Sequence, residues 1–233
     1  MLIFLDLETT GLEVSDKICS IALIDESEAL YELINEGKKI PSEASSIHHI
    51  TNEMIKDKSA FKVSKAFKYL QEHNNEEHTL VAHNIQFDLS MLKEAGFIWK
   101  GDIIDTLRVT KHIIAECELF NLQFLRYELR LYKDEVLLAE KYGIKDAIVA
   151  HNALGDAFVC FLLFMYLKEI VTEVEMKELS FKHVLLEKFG FGKYKGRYIQ
   201  EICLNDSSYA MWLLNAAEID EDIRYSINYY LQG

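Results

Sequence analysis

Three short segments of the 233-residue chain carry residues whose types and spacing suit chemistry. The first is Asp6-Leu7-Glu8, at the end of an apolar run from Leu2 to Leu7. On an extended strand, residues i and i+2 share a face, so the two carboxylates stand side by side. Carboxylates that close resist ionising together unless a cation lies between them. Thr9-Thr10-Gly11 follows at once, a turn that leaves backbone N–H groups free for a ligand oxygen. Taken alone, a D-x-E pair is more often a strand end running out into solvent.

The second segment is His83-Asn84-Ile85-Gln86-Phe87-Asp88, placed where a short strand ends and a helix opens. Asp88 falls in the first helical turn, where the helix dipole favours a negative charge. By itself it reads more readily as a capping residue. The third is His151-Asn152-Ala153-Leu154-Gly155-Asp156, which opens the most hydrophobic helix of the chain. Residues i and i+5 diverge by roughly 140° on a regular helix. His151 therefore belongs to the incoming loop and Asp156 to the helix. A carboxylate inside an apolar helix needs a partner, and a bound metal is one.

Together the segments offer four carboxylates and one histidine at the ends of separate elements. Hard oxygen ligands select Mg2+ or Mn2+ rather than zinc. A histidine with an ordinary pKa near 6.5 can take a proton from water at neutral pH. Two such cations about 4 Å apart can clamp the attacking and leaving oxygens of an in-line displacement at phosphorus.

The elements that must position these residues follow from hydrophobic periodicity. Leu2–Leu7, Ile18–Asp25 and Ala29–Asn35 read as three strands, the last two joined by a polar turn at Glu26-Ser27-Glu28, which suggests an antiparallel meander. Ser59–His73 places Phe61, Val63, Ala66, Phe67 and Leu70 on one helical face. Thr79–Ala82 and Asp102–Asp105 are short strands, and Phe87–Ala95 is a helix stopped by Gly96. From Thr106 the pattern is helical, clearest over Phe120–Leu131 and Ala153–Ile170. The prediction is an α/β fold with a mixed sheet. Residues 171–180 are charged and read as a helix continuation or connector, and a tail of about 60 residues reads as a small second domain.

Composition narrows the class. Half the residues are hydrophobic and 27% charged, which excludes a disordered or low-complexity chain. The formal net charge is -13, so a basic surface coating nucleic acid is disfavoured, although site metals or a local basic patch can reverse the sign. Cys19, Cys117, Cys160 and Cys203 form no C-x-x-C pair, which suits a reducing interior. The longest uncharged apolar stretch elsewhere, Ala157–Leu167, is shorter than the roughly 20 residues a membrane span needs. The expectation is a cytoplasmic protein with no membrane partner.

The order Asp6-x-Glu8, His83-Asn84-x-x-Phe87-Asp88, His151-x-x-x-x-Asp156 resembles the three motifs of the DEDDh 3'-5' exonuclease superfamily over roughly residues 1–170. That resemblance implies a ribonuclease H-like mixed five-stranded sheet flanked by helices. It implies two divalent cations, Mg2+ or Mn2+, and release of nucleoside 5'-monophosphates from a 3' end. Carried onto this chain, Asp6, Glu8, Asp88 and Asp156 are metal ligands and His151 is the general base. Thr9, Thr10, Gly11 and Leu12 would meet the terminal nucleotide, Leu12 as an apolar wedge. Ile47-His48-His49-Ile50-Thr51 is similar to a His-Gly-Ile-Thr segment of the superfamily, with His49 in place of the glycine. His48 is accordingly either a substrate contact or a surface turn residue. Asn84 either orients substrate or ties down its loop, Phe87 completes the motif as a candidate substrate contact, and the Asp105-Thr106 pair is assigned to structure.

The tail narrows the resemblance to exodeoxyribonuclease X-like proteins that carry a small C-terminal module. The division implied is 1–170 exonuclease domain, 171–180 connector and 181–233 module. Gly192-Lys193-Tyr194-Lys195-Gly196, followed by Arg197 and Tyr198, reads as a basic hairpin turn beside aromatics. Lys193, Tyr194, Lys195 and Arg197 are candidate contacts to single-stranded nucleic acid. The bland alternative is a small core with a solvated lysine turn. From residue 171 onward there are 7 basic and 10 acidic residues, a balance of -3 against -13 for the chain. The partner expected is the 3' end of DNA rather than RNA, single-stranded, with a polymerase or repair complex as a further partner. A proofreading polymerase subunit, an RNA-trimming exoribonuclease, a non-catalytic nucleic-acid-binding module and a hydrolase of small phosphate esters are the alternatives.

Overall fold

The apolar run at the N-terminus becomes β1 (Leu2–Thr9), the middle strand of a five-stranded sheet. The computed structural model describes residues 1–144, 148–216 and 219–232. After β1 come β2 (Ile18–Ile24), β3 (Ala29–Leu33), α1 (Ser42–His48), α2 (Asn52–Ile55) and α3 (Lys65–Glu72). Next are β4 (Thr79–Ala82), α4 (Ile85–Glu94), β5 (Asp102–Asp105), α5 (Thr106–Ile113), α6 (Leu122–Glu128) and α7 (Glu135–Lys141). The chain ends in α8 (Ala153–Lys168), α9 (Glu173–Leu179), α10 (Ile199–Asn205), α11 (Ser207–Leu214) and α12 (Glu221–Gln232). The sheet order is β3-β2-β1-β4-β5. β1, β2 and β3 form the expected antiparallel meander, whereas β4 and β5 join parallel to β1. A parallel neighbour can only be reached by a crossover, and the helices between β3, β4 and β5 supply it.

Alternation along β1 decides what each face of the sheet buries. Ile3, Leu5 and Leu7 join Leu23 and Leu80 against Leu70 of α3 and Met91 of α4. Phe4 joins Ala22, Ile24 and Val81 on the opposite face, under α8. Its ring meets Phe161 edge-on at 5.2 Å and Phe164 at 5.3 Å. By the same alternation, Asp6 and Glu8 fall on the α8 side. Helix α8 is apolar all round because β1 and β2 cover one side and α5 and α6 the other. No helix among the described residues is long and apolar enough to cross a membrane.

Several elements differ from the sequence expectation. The helix predicted over 59–73 begins as a 3-10 turn at Phe61–Val63, and α3 starts only after Ser64, whose hydroxyl accepts from the N–H of Phe67 at 3.0 Å. That cap resets the helix start. The short helices α1 and α2 carry too few turns to display an apolar period. Residues 171–180 contain α9, opened by a Thr172–Glu175 capping box, and Met176 enters the core beneath the sheet. This stretch is packed rather than extended.

The tail has its own core of Phe189, Ile199, Ile202, Ala210, Leu213, Ile223 and Ile227. Its glycine-rich run does form a hairpin turn: Lys188 bridges Tyr198, and across it Phe189 N donates to the Arg197 carbonyl while the Phe189 carbonyl accepts from Gly196 N. Gly192 and Gly196 both take positive φ there, at 71° and 82°. Arg108 of α5 fastens the tail to the first part of the chain. Its Nη1 donates to Asp222 Oδ2 at 3.1 Å and its Nη2 to Oδ1 at 3.0 Å. Asp222 is buried and also accepts from Val184 N at 3.0 Å.

Candidate active site

Asp6 and Glu8 lie near the end of β1, opposite Ala22 and Ser20 of β2. These small cross-strand partners leave the sheet surface open above the carboxylates. The register shifts between Glu8 and Thr9, a bulge that turns the chain away from β2 at the site.

Asp156 arrives from the other side, in the first turn of α8, and is only 8% exposed. Asn152 caps the helix by accepting from Gly155 N at 3.2 Å. A Cβ on Gly155 would lie 2.6 Å from the carbonyl oxygen of Val149, so glycine alone lets the incoming loop pass this close to the helix. Both oxygens of Asp156 are held by donors. His151 N reaches Oδ2 at 2.8 Å and Gln123 Nε2 reaches Oδ1 at 2.6 Å.

One carboxylate oxygen from each of Asp6, Glu8 and Asp156 lies within 4.8 Å of the others. Asp88, 5% exposed in the first turn of α4, stands beside this trio, and its charge acts on Asp6. Burial is the first cause that pushes the carboxyls of Asp6 and Asp88 well above the ordinary carboxylate range, with neighbouring carboxylates adding to it. Burial, then Asp156, raises Glu8 to about 8. Burial raises Asp156 too, against the opposing bonds from Gln123 and His151. Crowded, half-desolvated carboxylates with oxygen-only donors fit a hard divalent cation, which would remove their mutual repulsion.

His151 takes a left-handed backbone conformation, φ 57°, on the exposed turn before α8. Its backbone N–H is tied to Asp156 and the residue is exposed. Across from it, the loop after β1 is knit around Asp16. Thr10 Oγ1 donates to Asp16 Oδ1 at 2.8 Å, Glu13 N to Oδ2 at 2.9 Å, and Lys38 Nζ to Oδ1 at 2.7 Å. The Lys38 bond is the main cause that holds the Asp16 carboxyl below its usual range. The side chains of Thr9 and Thr10 are buried in this scaffold, and Thr9 Oγ1 donates to the carbonyl of Gly11 at 2.6 Å. Leu12 projects at 84% exposure, the geometry a wedge requires.

The remaining predicted contacts divide. His48 is not a surface turn residue: it is buried, its Nδ1 accepts from Ile50 N at 3.1 Å, and its Nε2 lies 3.8 Å from Cys19 Sγ. Burial lowers its pKa, so it stands neutral behind the Thr9 segment. His49 takes the left-handed C-cap of α1 at φ 62°, a position where glycine is the unstrained residue. Asn84 also has positive φ, 70°, with an exposed side chain and its N–H on Asp105 Oδ1 at 3.0 Å. Phe87 is half-buried against the core beneath α4. His83 is a strut. Its Nε2 contacts the Phe120 carbonyl at 2.8 Å and its Nδ1 the Thr106 hydroxyl at 3.0 Å, and burial lowers its pKa to about 4. Asp105 caps α5, accepting from Leu107 N and Arg108 N, in keeping with a structural role.

The exonuclease family (RNase_T) matches residues 3–164, the stretch that holds all four carboxylates and His151. The chain belongs to this exonuclease family. It is 26% identical over 239 residues to exodeoxyribonuclease 10 of Escherichia coli K12, with both chains covered in full. It is 31% identical over 168 residues to the DNA polymerase III subunit epsilon of Rickettsia prowazekii, across 60% of this chain and 71% of that one. Among solved structures it resembles Exonuclease X in complex with 5' overhanging duplex DNA. There the TM-score is 0.58 and the identity 21%, over 77% of this chain and 99% of that one. The expectations of a 3'-5' exonuclease and of a ribonuclease H-like mixed sheet are borne out.

Sequence reasoning missed part of this exonuclease's site. Asp16, Gln123, Arg126 and Glu135 carry no motif of their own. Only the i, i+3 spacing of Gln123 and Arg126 on one helix hinted that they act together.

Proposed function

We propose that this exonuclease removes nucleotides one at a time from the 3' end of DNA. Asp6, Glu8, Asp88 and Asp156 would hold two divalent cations, Mg2+ or Mn2+. The observation that carries this reading is the meeting of Asp6, Glu8 and Asp156 oxygens within 4.8 Å, in a chain similar along its whole length to an exodeoxyribonuclease. When bound, such cations offset phosphate charge and acidify water.

The chain's own residues do the rest. His151, held at the rim through its backbone, accepts the proton of the attacking water at a ring nitrogen. Thr9 and Thr10 shape the turn, Thr10 N being tied to the Lys17 carbonyl; the N–H groups of Gly11 and Leu12 hold the terminal nucleotide, and Leu12 lies against its base. His48 serves this turn from beneath. Asn84 and Phe87 line the approach from α4. Resemblance to the epsilon subunit covers 60% of this chain, whereas resemblance to exodeoxyribonuclease 10 covers all of it. That difference favours a self-sufficient enzyme over a polymerase-bound proofreader. Four cysteines, all free, suit a cytoplasmic setting.

Residues 1–170 form the exonuclease domain in this reading, 171–180 connect, and 181–233 make a module that engages single-stranded nucleic acid. Lys193 lies 4.5 Å over the Tyr194 ring, and the Tyr209 and Trp212 rings lie 5.7 Å apart beside them, tilted by 34°. Lys193 and Arg197 are shared with Asp206 and Glu201, so exposed Lys195 carries most of the attraction for phosphate. Surface ion pairs of this kind are weak enough for phosphate to compete.

A gel assay tests the reaction: 5'-labelled single-stranded DNA and RNA of one sequence, with Mg2+, Mn2+ or EDTA, beside Asp156→Ala. The expected result is a DNA ladder shortening from the 3' end, absent with EDTA and in the variant. Degradation of RNA alone would assign the other sugar. Intact strands under both metals would favour a non-catalytic binding module.

A further inference from the structure

Behind Asp156 runs a polar chain, buried at Arg126 and Glu135 and half-buried at Gln123, that none of the three motifs contains. Gln123 Nε2 donates to Asp156 Oδ1 at 2.6 Å. The other end of the same amide, Oε1, accepts from Arg126 Nη1 at 3.1 Å. Arg126 is in turn gripped by Glu135: Nη2 donates to Oε2 at 2.7 Å and Nε to Oε1. Both Arg126 and Glu135 are 8% exposed.

The order of these bonds has one consequence. An amide can present either its oxygen or its nitrogen to a neighbour. Because the Arg126 guanidinium can only donate, it claims Oε1 and obliges Nε2 to face Asp156. Glu135 grips Nε and Nη2 as a bidentate pair, which holds Arg126 back from a direct bond to Asp156. The carboxylate is thus held by a neutral donor on Oδ1 and by His151 N on Oδ2. Its plane is set, its negative charge is left available, and the loop bearing His151 is tied to the same group.

We propose that Gln123, aimed by the Arg126–Glu135 pair, is a positioning residue. It orients Asp156 for cation binding while keeping the guanidinium of Arg126 out of direct contact with it. This rests on the reading of Asp156 as a metal ligand. The helix carrying Gln123 and Arg126 is α6, and Glu135 opens α7, so two elements without a catalytic group would exist partly to hold this carboxylate.

The test uses the full chain and Mn2+ alone, titrated by the loss of the free-ion electron paramagnetic resonance signal. Gln123→Met keeps the side-chain volume but removes both hydrogen bonds. Neighbours that orient metal ligands typically contribute 10–100-fold in metal affinity, so Mn2+ should bind at least about 10-fold more weakly, with an unchanged melting temperature. The double variant Arg126→Met/Glu135→Leu removes the pair without stranding a charge. It should weaken Mn2+ by a similar factor, and adding Gln123→Met to it should weaken binding little further, since the residues act as one chain. Wild-type Mn2+ affinity in Gln123→Met overturns the proposal. So does full additivity in the triple variant. Wild-type protein that binds no Mn2+ would overturn the metal-ligand reading itself, and the proposal with it.

Discussion

Glu8, near the end of the central strand, and Asp156, in the first turn of the longest helix, hold carboxylate oxygens within 4.8 Å of each other. Burial raises both carboxyls and the charge of Asp156 adds to the rise at Glu8, so the fold spends stability on assembling this pair. The same pair, with Asp6 and Asp88, makes the cation site proposed for the exonuclease reaction.

Removing one of these charges should separate activity from stability. Asp156→Asn should lower exonuclease turnover by about 1000-fold or more, a barrier increase of about 4 kcal/mol. In EDTA its melting temperature should equal or exceed the wild type, because repulsion has been relieved. Calorimetry showing a large decrease would mean that Asp156 is a structural anchor.

The pH dependence has a defined sign. Glu8 ionises near 4.5 when unfolded and near 8 when folded. Its protonated form therefore favours the native state, a contribution complete below pH 4.5 and lost as pH rises to 8. His83 acts in the opposite sense, since its depressed pKa removes stability as pH falls from 6.5 toward 4. Comparing wild type with Glu8→Gln cancels the histidine. In EDTA, melting curves should show the variant gaining on the wild type steadily between pH 5 and 8, and Mg2+ should erase most of that gap.

His151 can be tested without disturbing its backbone. Asparagine tolerates positive φ, so His151→Asn should preserve the turn and the N–H bond to Asp156. The turnover number should fall by roughly 100- to 10,000-fold, the usual contribution of a general base. Substrate affinity and melting temperature should hold. Equal losses in affinity and turnover in steady-state kinetics would speak for a binding role instead.

The bond from Arg108 to Asp222 predicts how the tail is held. Arg108→Met leaves a buried carboxylate with the Val184 N–H and the His183 ring at 3.7 Å, and should destabilise the protein by about 3 kcal/mol. Urea titration measures this. Arg108→Met/Asp222→Leu, which removes both charges, should recover most of the loss.

Trp212, 63% exposed, and Lys195 offer a test of the tail's ligand. Trp212→Ala should weaken binding of a 20-nucleotide single strand by about 1–3 kcal/mol, the loss of one stacked base. Hydrolysis of a trinucleotide, too short to reach the tail, should continue at the wild-type rate. Unchanged binding by fluorescence anisotropy would point to a protein partner for this face.

Much of the site was legible because its parts obey short periods. The i, i+2 spacing put Asp6 and Glu8 on one face, and the helix start placed Asp88 in a first turn. The five-residue step separated His151 from Asp156 across a helix boundary. The glycine-rich run in the tail announced its hairpin turn through residues that accept positive φ.

Other features depended on packing between distant segments. Whether Asp6 and Glu8 would face α8 or α3 and α4 was decided by Phe4 seating between Phe161 and Phe164, since one strand face must follow the other. His48, read as either a substrate contact or a surface turn residue, is a buried support because α1 closes over Cys19 and Ile40. The chain from Glu135 through Arg126 and Gln123 to Asp156 links three helices. Sequence alone therefore determined the kinds of groups, their local faces and the family to which they belong. Tertiary structure decided which of them meet. Local geometry is set within a few residues of backbone, whereas long-range contacts are chosen by how large apolar surfaces fit together, and polar partners are carried to one another by that fit.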